Sequence, residues 1–285
     1  MKTFQRLLLS SRPISWVNTA FPFAAAYFFL GGELNLGFWL TTLFFLIPYN
    51  FLMYGINDVF DYESDLRNPR KGGVEGALLP PELHRMTLLL ATAISLPFVV
   101  YICLLSASNA LALMIFLTTL FFVVAYSMKG LRYKEIPFLD SISSSIHFVG
   151  PLLFAVSLLQ AWNLWIAIGA AAFFLWGAAS HAFGAVQDIR ADREAGIASI
   201  ATALGAKKTI RFSFALYFLA GLILLFLPDR FNFSALAAVP YLLVIAKSFS
   251  VTDENCEEAN RGWRLFLALN FLAGAIITSL LIGPV

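Results

Sequence analysis

Long apolar runs alternating with short basic loops constrain this chain more than any other feature. Nine such runs lie near 14–30, 38–57, 86–105, 109–127, 138–158, 163–187, 211–228, 233–250 and 265–283. Each is about 17 to 25 residues long, enough for an α-helix to cross the hydrocarbon core of a bilayer. Backbone N–H and C=O groups in lipid must pair within the segment, so runs of this kind fold as helices. The expectation is an all-α, polytopic membrane protein of about nine spans, with residues 1–285 forming one domain. Composition agrees, with 60% hydrophobic and 13% charged residues. Pro13, Pro22 and the apolar continuation to Leu30 point to a retained first span rather than a cleaved leader.

The basic residues orient the chain. Lys2, Arg6 and Arg12 precede the first span, and every later Lys or Arg except Arg230 falls in an even-to-odd loop. The positive-inside rule places the amino terminus and these loops in the cytoplasm, and the cell (plasma) membrane is the expected location. A net charge of +2 gives no reason to expect nucleic acid as a partner. Cys103 and Cys256 lie in an apolar span and a polar loop, a poor basis for a disulfide or a zinc site. Spans two to five and six to nine resemble a weak repeat, each opening on a helix that ends in acidic residues, which would set a ligand site between the halves.

Those acidic ends carry the chemistry. Asn57, Asp58, Asp61 and Asp65 close the second span, and Asp188 and Asp192 close the sixth. Carboxylates three and four apart share a helix face and repel one another unless a cation sits among them. Acids at a helix C-terminal end also oppose the macrodipole. A hard divalent ion such as Mg²⁺ meets both needs, so these six residues are candidate metal ligands. Arg67, Arg70 and Lys71 follow the first cluster, while Arg190 and Arg193 are interleaved with the second. A further tract runs Tyr126-Ser127-Met128-Lys129-Gly130-Leu131-Arg132-Tyr133-Lys134, then Pro137 and Asp140. Metal-binding carboxylates beside Lys and Arg suit a diphosphate, which metal neutralises and cations clamp. The candidate diphosphate residues are Arg67, Lys71, Lys129, Arg132, Lys134, Arg193 and Arg12. Positive-inside loops carry such residues in any case.

Together, Asn-Asp-x-x-Asp-x-x-x-Asp, Asp-x-x-x-Asp and the Tyr126 to Pro137 tract on nine spans resemble the UbiA superfamily of intramembrane prenyltransferases. The resemblance implies helices around a central cavity, with two Mg²⁺ ions bridging an isoprenoid diphosphate to both aspartate motifs at its cytoplasmic mouth. Met128-Lys129-Gly130 departs from the family pattern, where prolines are common. Segments 68–80 and 188–202 look like the carotenoid (lycopene) elongase branch. That narrower likeness implies dimethylallyl diphosphate as donor and an acyclic carotenoid such as lycopene as acceptor.

An allylic diphosphate ionises when cations stabilise the departing pyrophosphate, and the allylic cation must then be kept from water. Asp61 and Asp192 are the expected catalytic carboxylates. Tyr126, with Tyr54, can face the cation with an aromatic ring. Asp140 could act as base or hold the basic tract. His181, two helical turns before Asp188, could accept a proton or pack as a core histidine. His147 carries the same ambiguity, His84 reads as a loop residue, and the acidic run at Asp253, Glu254, Glu257 and Glu258 reads as a solvated face. A quinone precursor, chlorophyllide or glyceryl lipid would suit the same motifs. A cation-coupled transporter would place its acids near the bilayer midplane, where this chain is nearly uncharged.

Overall fold

Proline decides how the second span is built. Pro48 has no N–H to give to the carbonyl four residues earlier, so the helix breaks at Ile47. The freed carbonyls do not stay bare. The Asn50 amide donates to Phe45 O at 3.0 Å and Leu46 O at 3.1 Å. Thr19 Oγ1 also donates to Phe45 O, at 2.7 Å. Side chains that repair a broken ladder are what allow a proline-interrupted span to persist away from water.

The computed structural model describes residues 3–66, 72 and 77–282. Its first helices are α1 (Thr3–Ser10), α2 (Trp16–Phe29), α3 (Leu36–Leu46), α4 (Pro48–Phe60), α5 (Tyr62–Asp65), α6 (His84–Leu105) and α7 (Ala110–Ser127). They are followed by α8 (Leu139–Leu158), α9 (Leu164–Val186), α10 (Ile189–Ala195), α11 (Ile200–Leu204), α12 (Ala206–Leu224), α13 (Ala238–Ala246) and α14 (Asn260–Ile282). Among the described residues there is no strand. Seven segments among the described residues are long and apolar enough to cross a membrane, including Leu36–Phe60 across the proline break. The two remaining expected spans are helical but fall outside that set: α2 has 14 residues, and α12 opens with Lys207, Lys208 and Arg211.

The chain divides into two compact units, with boundaries ahead of α8, inside α8 and between the fifth and sixth expected spans. Unit 1 holds residues 1–133 and 147–161, and unit 2 holds 134–146 and 162–285. Each is packed separately. In unit 1, Phe23, Phe44, Phe45, Tyr49, Phe116 and Phe154 are fully buried. Their rings meet edge to face, tilted or stacked, as between Phe44 and Phe116 edge to face at 5.7 Å and Phe23 and Phe154 stacked at 6.0 Å. In unit 2, α9 packs on α12, with Ser180 Oγ and Tyr217 Oη 2.7 Å apart and Tyr217 stacked on Tyr241. Helices in lipid gain little from burying apolar surface, so close approach matters more. Gly177 shows this: a Cβ there would lie 3.0 Å from Ser145 Cα.

Candidate active site

The first aspartate motif straddles the end of α4. The helix breaks at Asp61 (φ −103°, ψ 1°), yet Asp61 N–H still bonds Asn57 O at 2.9 Å and Asp65 N–H bonds Asp61 O at 2.8 Å. The four-residue repeat therefore survives the break, keeping the motif on one face as its spacing predicts. Asp58, Asp61 and Asp65 are 1%, 3% and 7% exposed. Three carboxylates this deep are tolerable only with cations or strong donors against them.

Among the described residues, two arginines bring positive charge to the motif. Arg12 Nη2 donates to Asp58 Oδ1 at 3.2 Å and Asn57 Oδ1 at 3.1 Å, and its guanidinium lies 4.2 Å over the Tyr54 ring. Ser10 Oγ donates to Asp58 Oδ2 at 2.8 Å, and Ala77 N–H reaches the same oxygen at 3.3 Å. Protein donors thus hold both Asp58 oxygens. Arg132 gives Nη2 to Asp61 Oδ1 at 3.4 Å and Nη1 to Phe60 O at 3.3 Å, placing a cation at the C-terminal end of α4. Asn57 Nδ2 donates to Asp61 Oδ2 and, at 2.9 Å, to Ser127 Oγ. Both arginines adopt left-handed backbone, with φ of 47° at Arg12 and 43° at Arg132. Such conformations cost about 1–3 kcal/mol and persist where surrounding contacts enforce them.

The rest of the basic tract divides. Tyr126 meets the His147 ring edge to face at 5.2 Å, and His147 O accepts the Tyr49 hydroxyl at 2.9 Å. Lys129 is exposed and Lys134 half-buried. Arg67 and Lys71 lie outside the described residues. His84 is not a loop residue: it heads α6, with Nε2 2.9 Å from Leu79 O and its ring against Tyr62.

In unit 2 the second motif forms α10, a two-turn helix between Asp188 and the left-handed Gly196. Ile197 N–H returns to Asp192 O at 2.8 Å, closing the helix end. Asp188 and Asp192 are half-buried. Asp140 is fully buried at the start of α8 and accepts the Ser141 and Ile200 N–H groups, each at 2.6 Å. It therefore fastens α11 to α8, a structural task that its sequence position does not announce. Ser141 Oγ lies 3.1 Å from His181 Nδ1. Arg193 donates to Asp253 Oδ2 at 2.8 Å and Thr202 O at 3.2 Å. Asp253 is no solvated acid: its Oδ1 caps α12 through Ala206 N–H at 2.6 Å. That backbone bond, with help from Arg193, holds its carboxyl below the usual aspartate value.

Among the described residues, no three His, Cys, Asp or Glu side chains sit close enough together to hold a metal ion. Among the described residues, Ser10 and Arg12 lie against Asp58 and Arg132 against Asp61. The donor set of the first motif still suits a hard cation, since buried carboxylates with a flanking amide are oxygen ligands and the cluster already requires positive charge. Asn57, Asp61 and Asp65 in unit 1, and Asp188 and Asp192 in unit 2, are the groups suited to that role.

Residues 19–272 match the UbiA prenyltransferase family. The chain is 50% identical, over 99% of its length and 98% of the relative's, to the lycopene elongase/hydratase of Corynebacterium glutamicum. It is 29% identical to the lycopene elongase/hydratase of Halobacterium salinarum, covering 96% of each. Among solved structures, a UbiA homologue from Archaeoglobus fulgidus bound to DMAPP and Mg²⁺ matches with a TM-score of 0.67 at 18% identity, over 95% of this chain and 99% of that one. The chain belongs to the UbiA prenyltransferase family and is an integral membrane prenyltransferase.

Proposed function

We propose that this prenyltransferase is a lycopene elongase. It moves a C5 group from dimethylallyl diphosphate to the end of lycopene, with two Mg²⁺ ions and on the cytoplasmic side of the plasma membrane. The observation that carries this reading is the 50% identity, across nearly the whole of both chains, to a lycopene elongase/hydratase. The cytoplasmic placement rests on the one-sided distribution of Lys and Arg. Residues 1–285 are read as one functional domain because the family match runs through both units.

Bound Mg²⁺ would neutralise the diphosphate and stabilise the leaving pyrophosphate. Asn57, Asp61, Asp65, Asp188 and Asp192 are the residues proposed to hold it. Asp58 is assigned to anchoring Ser10, Arg12 and Ala77 against α4. Arg132 draws negative charge toward the motif, and Arg12 keeps Asn57 and Asp58 oriented. The carbon–oxygen bond of the donor breaks, pyrophosphate leaves, and the terminal alkene of lycopene bonds to the allylic carbon. Tyr126 presents an aromatic face of the kind that stabilises a carbocation. The resulting tertiary cation loses a proton or captures water, and His181 is the candidate acceptor of that proton. Expression in a lycopene-accumulating bacterium tests the assignment. Carotenoids heavier by one or two C5 units are expected, whereas unchanged lycopene with the protein present in the membrane overturns it.

A further inference from the structure

The segment 251–260, which leads from α13 into the first residue of α14, is bound to the second aspartate motif and the preceding Gln187 by four side chains. Asp253 splits its carboxylate between Ala206 N–H at 2.6 Å and Arg193 Nη2 at 2.8 Å. Glu257 Oε1 accepts from Arg190 Nη1 at 3.2 Å. Asn260 Nδ2 donates to Gln187 Oε1 at 2.6 Å, and Cys256 Sγ donates to Gln187 O at 3.8 Å. Gly205 makes room for this arrangement, since a Cβ there would lie 3.1 Å from Asp253 Oδ1 and its φ is +77°.

The face of α10 that the loop holds is informative. At about 100° per residue, Asp188 and Asp192 share one side of the helix, Arg190 lies opposite them and Arg193 about 100° round from Asp192. The loop therefore holds α10 through its two arginines. A helix of 7 residues has little stability of its own, so its orientation must come from such ties.

We propose that Asp253 is a positioning residue for the prenyl transfer: through Arg193 it fixes α10 so that Asp188 and Asp192 are held ready for the metal diphosphate. The inference rests on the reading of those two aspartates as metal-diphosphate ligands. It also reassigns Arg193, from a residue that touches the diphosphate to one that acts through the helix.

The test uses the full-length protein in nanodiscs with Asp253→Asn, Arg193→Gln, Arg193→Lys and the Asp253→Asn/Arg193→Gln double variant. Asparagine keeps an acceptor for Ala206 N–H and removes the charge that holds Arg193. Asp253→Asn should raise the Mg²⁺ concentration for half-maximal turnover about three- to tenfold, the scale of indirect coupling, with a smaller change in kcat. Trypsin should cleave after Arg190 faster in that variant without metal or substrate. Arg193→Gln should reproduce both effects and add nothing in the Asp253→Asn background, while Arg193→Lys, which keeps the ion pair, should restore most of the loss. If Arg193→Gln lowers activity by the same factor with and without Asp253→Asn, Arg193 acts on the diphosphate and the proposal is overturned. Unchanged metal dependence and cleavage in Asp253→Asn overturn it as well. Should Asp253→Asn not reach the membrane, Arg193→Lys behaving like Arg193→Gln refutes it. Absence of turnover in the unsubstituted protein would refute the function reading instead, leaving the cleavage rates to decide the tie between loop and helix.

Discussion

Replacing Asp140 should destabilise unit 2 far more than replacing an ordinary acid near a helix start. Its carboxylate is fully buried and accepts two backbone N–H groups, one from Ser141 and one from Ile200, 60 residues away in sequence. Asp140→Ala leaves both donors without their acceptor, and each such buried group costs about 1–3 kcal/mol. The sum, about 2–6 kcal/mol, corresponds to a drop in Tm of about 4–24 °C at about 2–4 °C per kcal/mol for a domain of this size. Asp140→Asn keeps one accepting oxygen and should lose about half as much. Cys256 provides the assay, because it is fully buried beside Gln187 O and becomes reactive to a fluorogenic maleimide only when unit 2 opens. Labelling midpoints on heating should rank the unsubstituted protein above Asn and Asn above Ala. An Ala variant whose midpoint matches the unsubstituted protein would refute the fastening role and return Asp140 to the candidate bases.

Three further outcomes follow from the geometry. Asp61→Ala and Asp192→Ala should each lower turnover at least about a hundredfold, the scale of losing a preorganised charge-stabilising group, with membrane expression unchanged. Near-normal activity with Mg²⁺ would remove that residue from the site. Arg132→Ala loses the bonds to Asp61 and Phe60 O but sits at 27% side-chain exposure, so the full value of a charged hydrogen bond does not apply. About 1–2 kcal/mol, or a five- to thirtyfold fall in kcat/KM for the allylic diphosphate, is expected, and steady-state kinetics would show it. The tie between Asp253 and Ala206 should be insensitive to pH near neutrality. A carboxyl held below its usual value contributes fully above that value, about 3.9, and loses its contribution as pH falls through the lower folded value. Tryptic cleavage after Arg190, normalised at each pH to that of an unstructured peptide, should therefore be flat from pH 8 to pH 5, and a steep rise within that range would contradict the assignment.

The sequence carried the architecture because each span must satisfy its own backbone and must be long enough to cross lipid. For the same reason the paired motifs were visible: Asn57 and Asp61 contact each other at the four-residue spacing that any helix dictates. The proline break was not visible as a break, because hydropathy runs unchanged across Pro48 and the repair comes from Asn50 and from Thr19 on another helix. Arg12 and Arg132 were named as candidates, but nothing local indicates the left-handed backbone that turns each toward the first motif. The contacts of Asp140, Asp253 and His84 are not legible in the sequence, for a common reason. Their partners, Ile200, Ala206 with Arg193, and Leu79 with Tyr62, are set by tertiary folding rather than by periodicity. Gly205 offered a faint signal for Asp253, since a glycine ahead of a helix can mark the close approach of another group.

The central claim is metal-assisted prenyl transfer from an allylic diphosphate to a carotenoid. It is tested most directly with purified protein in nanodiscs containing lycopene, given isotopically labelled dimethylallyl diphosphate with and without a chelator. The account predicts label in an elongated carotenoid, one pyrophosphate released per C5 group added, and loss of both on chelation with recovery when Mg²⁺ is returned. Pyrophosphate release without labelled carotenoid, or label transfer that chelation leaves intact, would contradict it.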